Sequence, residues 1–417
     1  MADRALLIRY DQAVDMQFAG SHCGSAGLRG RPPSRQEVVG LEFLSRSDFP
    51  RRPLASIGPG VRTACGVLAI GTMVVVPGCA SQSASGKSPG TSAASRTSRR
   101  VMPSAGNGRI VFVTLPAASG VLAPGRFSIQ TVRPDGSGRV TIFSRNGLVI
   151  NCPRWSPDGK RVAFSMGPGT GKYANLYTVK ADGRGLRAVT RGRRHYDYCP
   201  AWSPDGRRLA FSSLLPASPA VQPSIWVKNL KTGALTQVTR GSRVHEDNDP
   251  AWAPSGRQIV FDRSSTTTNL AKARSHLWLV NLATRRLWQL TSGPNQDIEP
   301  AWSPNGQRIA FVRSGVNTKP HIFTLPATGG RPTQVTRGRT WGVQPGWSPD
   351  GRRIAFGSRM RGVSTNIFTV LATGKGLRRV TDNPAYTTSV QPDWAAVVTR
   401  QIESQRKSAG ANPLVSE

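Results

Sequence analysis

The sequence predicts an all-β chain: a six-bladed β-propeller of four-stranded antiparallel blades, closed by pairing its N- and C-terminal strands. Three observations carry this. Residues 153–164, PRWSPDGKRVAF, return with small changes from Pro200, Pro250, Pro300 and Pro345, and a stub, PDWAAV, follows from Pro392. The tryptophans Trp155, Trp202, Trp252, Trp302, Trp347 and Trp394 are 47, 50, 50, 45 and 47 residues apart, a spacing typical of propeller blades when the repeat is rich in strands. Composition agrees, since Gly 44, Pro 32 and only 19% charged residues among 417 suit short strands joined by turns.

Each repeat carries four strand signals. The first runs into the tryptophan, and the second is the alternating segment typified by Arg208-Leu209-Ala210-Phe211. The third is seen in residues 175–179, 224–227, 276–280, 321–325 and 366–370, and the fourth in 237–239 and 334–336. Hairpin turns such as Ala181-Asp182-Gly183, Lys231-Thr232-Gly233 and Ala372-Thr373-Gly374 separate third from fourth. In Ser-Pro-Asp-Gly, proline presets φ, aspartate favours the next turn position and glycine supplies a positive φ. Ser203, Asp205 and their equivalents are therefore read as structural, the more so because Ser255 and Asn305 replace the aspartate in two repeats. The six tryptophans are expected to pack between blades.

The ends complete the count. Residues 109–114, 127–132 and 140–143 supply second, third and fourth strands with no tryptophan strand ahead of them. The stub at Pro392-Asp393-Trp394-Ala395 provides the missing one, and the ring it closes has no free sheet edge. Repeats of the form WSPDGxxIAF at this spacing resemble the TolB-like propeller family, also called WD40-like or PD40 repeats, over residues 108–398. The resemblance implies six blades. TolB also carries an N-terminal α/β domain, which residues 80–107 are too short and Ser-rich to form, so its Tol-Pal function is not carried over. Prolyl oligopeptidase propellers precede a hydrolase domain with a G-x-S-x-G nucleophile. That motif is not found here, and the activity is not expected.

Ahead of the repeats, residues 61–82 read VRTACGVLAIGTMVVVPGCASQ. The apolar run from Ala64 to Val76 has the length of a signal-peptide core and is short for a membrane span. Its end at Cys79 resembles the lipobox of bacterial lipoproteins, which implies a diacylglycerol thioether on Cys79, whose thiolate is the nucleophile, and cleavage before it. The expected organisation is a gene-model extension or disordered segment over 1–60, a lipoprotein signal peptide over 61–78 and a Ser/Gly-rich tether over 79–107. The propeller spans 108–398 and a disordered tail 399–417. The implied location is the extracytoplasmic face of a cell membrane, held by lipid.

The formal charge is +34, from 56 Lys+Arg against 22 Asp+Glu. The cations recur at fixed turn positions of each repeat instead of clustering as a nucleic-acid footprint, so no nucleic-acid partner is expected. The five cysteines, at 23, 65, 79, 152 and 199, form no CxxC and no zinc-finger spacing.

The residues just before each tryptophan differ from repeat to repeat. Three before stand Cys152, Cys199, Asp249, Glu299, Gln344 and Gln391; five before stand Asp197, Asp247 and Asp297; seven before stand His195 and His245. Because the tryptophan strand is the innermost of a blade, these positions are expected to ring one mouth of the channel. Together with Glu246 they gather acids on an otherwise basic chain. They are candidates first for hydrogen-bonding backbone within the mouth, and alternatively for holding a basic peptide, a sugar, or Ca²⁺ or another divalent cation; no further cofactor is assigned. Cys152 and Cys199 are disulfide candidates outside the cytosol, on condition that their Cα atoms lie within ~7 Å.

Two functions follow. The first is a monomeric, membrane-anchored, non-catalytic scaffold binding a protein or peptide through its channel mouth. The second is a metal-assisted polysaccharide lyase or glycosidase using His195, His245 and the neighbouring acids.

Overall fold

A computed structural model describes residues 106–116, 126–168, 173–193, 195–214, 222–265, 274–315, 318–359, 364–385 and 387–397. The expected extension 1–60, the signal peptide 61–78 with Cys79, the tether up to residue 105 and the tail 399–417 lie outside the described residues.

Six four-stranded antiparallel sheets make the fold. Blade 1 is built from both chain ends: Thr387–Val397 is innermost, followed by Gly106–Pro116, Arg126–Val132 and Val140–Asn146. Blades 2 to 6 follow in chain order, with innermost strands Leu148–Trp155, Tyr196–Trp202, His245–Trp252, Gln296–Trp302 and Val343–Trp347. The closing pair is longer at both ends than the sequence suggested. It begins at Gly106, inside the expected tether, and pairs Ile110 with Trp394 and Val113 with Val390.

The repeated residues explain the blades. The phenylalanine of each second strand (Phe112, Phe164, Phe211, Phe261, Phe311 and Phe356) is fully buried at the blade's centre. Ser203 and Asp205 show what the Ser-Pro-Asp-Gly box does: the Ser203 hydroxyl donates to Asp205 and accepts the Arg208 N–H, while Asp205 Oδ1 accepts the Arg207 N–H. Gly206 completes the turn at φ +68°, a conformation that only glycine adopts without penalty. The tryptophans lock neighbouring blades. Trp202, Trp252 and Trp347 donate from Nε1 to the carbonyls of Arg154, Ala201 and Ala301 in the preceding blade, at 3.1 Å each.

The fourth strands of blades 3 and 5 end earlier than expected, at Gln237 and Gln334. The threonine that follows leaves the ladder and substitutes for it. Thr239, Thr291, Thr336 and Thr381 accept third-strand N–H groups through their hydroxyls at 2.9–3.0 Å.

Candidate functional site

Side chains of a strand point at the neighbouring blades, not at the axis, so something must re-aim them before a channel can be lined. Each innermost strand does this with a bulge. The register slips three residues before every tryptophan, and Cys152, Cys199, Asp249, Glu299, Gln344 and Gln391 all adopt positive φ, from 47° to 60°. Left-handed backbone at six equivalent non-glycine positions is rare, and it forms a belt around the axis. The belt lies mid-strand; His245 opens its strand, and His195 stands just before its own.

The belt is tied side chain to backbone around the ring. Cys152 N–H donates to Gln391 Oε1 (2.7 Å), Gln391 N–H to Gln344 Oε1 (2.8 Å) and Gln344 N–H to Glu299 Oε2 (2.6 Å). Asp249 is one methylene shorter than its glutamate and glutamine equivalents. The Glu299 N–H is met instead by Asp262 Oδ1 of the second strand, at 3.2 Å. Blades 2 and 3 are joined by the Cys152–Cys199 disulfide, with Cα atoms 4.9 Å apart.

The expected mouth set is therefore divided. Asp197, Asp247 and Asp297 do not join the belt; they are 4%, 1% and 0% exposed and face the second strand of their own blades. Arg263 forks onto Asp247 at 2.6 and 2.8 Å, Arg313 onto Asp297 at 2.6 and 2.7 Å, and Ser213 donates to Asp197 at 2.6 Å. Asp249 and Glu299 belong to the belt, with the two cysteines and two glutamines.

Three participants were missed. Asp262, just after the core phenylalanine of blade 4, is 2% exposed; Asp393 accepts the Trp155 N–H at 2.7 Å; Arg154 is the cation near Asp249, Glu299 and Asp393. Burial pushes Asp249 up to about 6, against the Arg154 charge. Burial, reinforced by the Asp249 charge, pushes Glu299 up to about 8. Asp262 is raised well above the ordinary carboxylate range, first by burial and then by Asp249. Asp393 is raised by burial, with Arg154 opposing. The channel thus has one acidic sector, at blades 4 and 5, beside a covalent one, at blades 2 and 3.

This geometry defines a six-bladed propeller with an asymmetric lined channel. The sequence matches the PD40 family model, TolB beta propeller domain, over residues 102–268 and 262–412. The chain belongs to that family of TolB-like propellers. Comparison with the curated proteins finds no match. Among solved structures, TolB from Acinetobacter baumannii is similar, with TM-score 0.57 and 19% identity over 69% of this chain and 66% of that one. The Kuenenia stuttgartiensis hydrazine synthase is similar over 70% of this chain and 47% of its own, with TM-score 0.54 and 15% identity. At these identities the likeness is one of fold.

Proposed function

We propose that this chain is a lipid-anchored extracytoplasmic propeller, monomeric and non-catalytic, that binds a protein or peptide partner through its channel. The carrying observation is the belt. Six positions share one backbone conformation, yet their side chains differ, while the tryptophan-to-phenylalanine segment that follows in five of the repeats is nearly uniform. Its acidic sector, on a chain of formal charge +34, suits a partner segment bearing a lysine, an arginine or an N-terminal amine. Propellers present ligand sites where their loops and channel meet, and family membership supports the scaffold. The lipid thioether at Cys79 is proposed from the sequence and keeps the propeller at the membrane surface.

The lyase or glycosidase reading is less well supported. Both oxygens of Asp247 and of Asp297 are taken by a guanidinium fork, which leaves neither free to act as acid or base.

The test is site-specific photocrosslinking in membranes of the native host. A crosslinker at His245 is expected to capture a discrete partner, and one at Arg285, on the exposed outer turn of blade 4, is not. Asp249→Asn with Glu299→Gln is expected to weaken capture at least tenfold; equal capture from both crosslinker positions would overturn the reading. Cys79→Ser is expected to release the chain from the membrane fraction.

A further inference from the structure

The belt brings together a group of three potential ligands whose combined chemistry the partner reading does not use. Cys152 Sγ, Cys199 Sγ and a carboxylate oxygen of Asp249 lie within 4.8 Å of one another. They come from equivalent bulges of three consecutive blades, so the left-handed backbone aims all three at one point. Among the described residues nothing donates a hydrogen bond to the Asp249 carboxylate, although its equivalents Glu299, Gln344 and Gln391 each accept one from the next blade. Asp262 and Glu299 are the neighbouring carboxyl groups, and Arg154 is the neighbouring cation.

We propose that, with Cys152 and Cys199 in the thiol state, the belt holds one thiophilic divalent cation of the zinc and cadmium class between the two sulfurs and the Asp249 carboxylate. The spacing suits it. Sulfurs each ~2.3 Å from a tetrahedral ion stand roughly 3.8 Å apart, and a carboxylate oxygen at ~2.1 Å completes three corners. The separation needed falls within the 4.8 Å that encloses the donors, so side-chain rotation about Cα–Cβ opens the site. Three protein donors leave the fourth corner for an exogenous ligand, as in zinc sites that keep one position open.

The chemistry balances in two steps. The disulfide accepts two electrons and two protons from a dithiol reductant, which leaves as its own disulfide. Cation binding then releases the two thiol protons, so two thiolates and one carboxylate meet the 2+ charge. Oxidation and metal occupancy therefore exclude each other at this site. The site shares Asp249 with the partner reading, but its readout is cation binding to the chain alone, so its failure is distinguishable from a failure to capture a partner.

The experiment uses the full chain with Cys23, Cys65 and Cys79 replaced by serine, so that this pair alone supplies sulfur. Cd²⁺ is titrated into the reduced and the oxidised protein. One equivalent is expected to bind the reduced chain with a thiolate-to-metal charge-transfer band in the ultraviolet, and the oxidised chain is expected to show no such band. Asp249→Asn keeps both sulfurs and is expected to weaken binding at least tenfold. Cd²⁺ is also expected to raise the melting temperature of the reduced chain only. An absent band in the reduced chain, unchanged affinity in Asp249→Asn, or a reduced chain that unfolds and is not restored by Cd²⁺ overturns the proposal.

Discussion

Whether Asp297 is structure or site can be decided by its charge alone. The residue is 0% exposed, and both its oxygens accept from Arg313, whose side chain is 18% exposed. That guanidinium lies 5.4 Å from the ring centroids of Phe311 and Phe323, so it is packed as well as paired. Asp297→Asn keeps the volume, removes the charge and turns an NH₂ toward the guanidinium. Removing one member of a buried ion pair costs about 3–5 kcal/mol, because the other is left uncompensated. The residual access of Arg313 to water and its two aromatic neighbours place the loss at the low end, about 3 kcal/mol. Each kcal/mol moves the midpoint of a large domain by about 2–4 °C, which gives a fall of roughly 6–12 °C. Differential scanning calorimetry reads it directly. Asp297→Asn combined with Arg313→Met, which removes the stranded cation, is expected to recover at least half of the loss. A single-variant shift below about 2 °C would refute the structural assignment.

Three further outcomes follow from the same geometry. Glu299 is an acid whose folded-state pKa, about 8, stands above its ordinary 4.5. Its contribution to stability is full below about 4.5 and is lost as pH rises through 8, so melting temperature should fall across that window in the parent and flatten in Glu299→Gln. Asp205→Asn should change stability by less than about 0.5 kcal/mol, because Asn305 already fills the same place and accepts the Gln307 N–H at 3.0 Å. Trp252→Phe removes the donor to the Ala201 carbonyl and should cost about 1–3 kcal/mol, read by urea titration.

Much of the ring was legible because its signals are local and repeated. A tryptophan every 45 to 50 residues, a turn that only glycine completes, three strands without a tryptophan strand at one end and a lone tryptophan strand at the other together specify six closed blades. The pairing of the buried acids was also written in the sequence, but across strands. Asp247 and Asp297 precede their tryptophans by five residues, and Arg263 and Arg313 follow the same tryptophans by eleven. Where the arginine is replaced by Ser213, the acid Asp197 accepts a hydroxyl instead. Where the acid is replaced by Ser389, its partner is Thr114. Comparing the repeats with one another at these two offsets would have separated the structural acids from the belt.

The bulge had no such signal, and the reason is physical. Left-handed backbone usually announces itself as glycine or asparagine, and none of the six belt residues is either. The conformation is imposed from outside the segment: the neighbouring blade supplies an acceptor for the N–H that the bulge removes from its ladder, as Gln391 does for Cys152 and Glu299 for Gln344. Closing the ring is what makes those acceptors available, so the belt is a property of the closed propeller and not of any one repeat. This bears on function. A residue can change at a belt position when its neighbours still satisfy the backbone around it, as Asp262 does for Glu299 where Asp249 is too short to reach. The side chain of Asp249, relieved of that bond, is then available for chemistry: among the described residues it is the belt carboxylate that accepts no hydrogen bond, and it stands beside the two sulfurs.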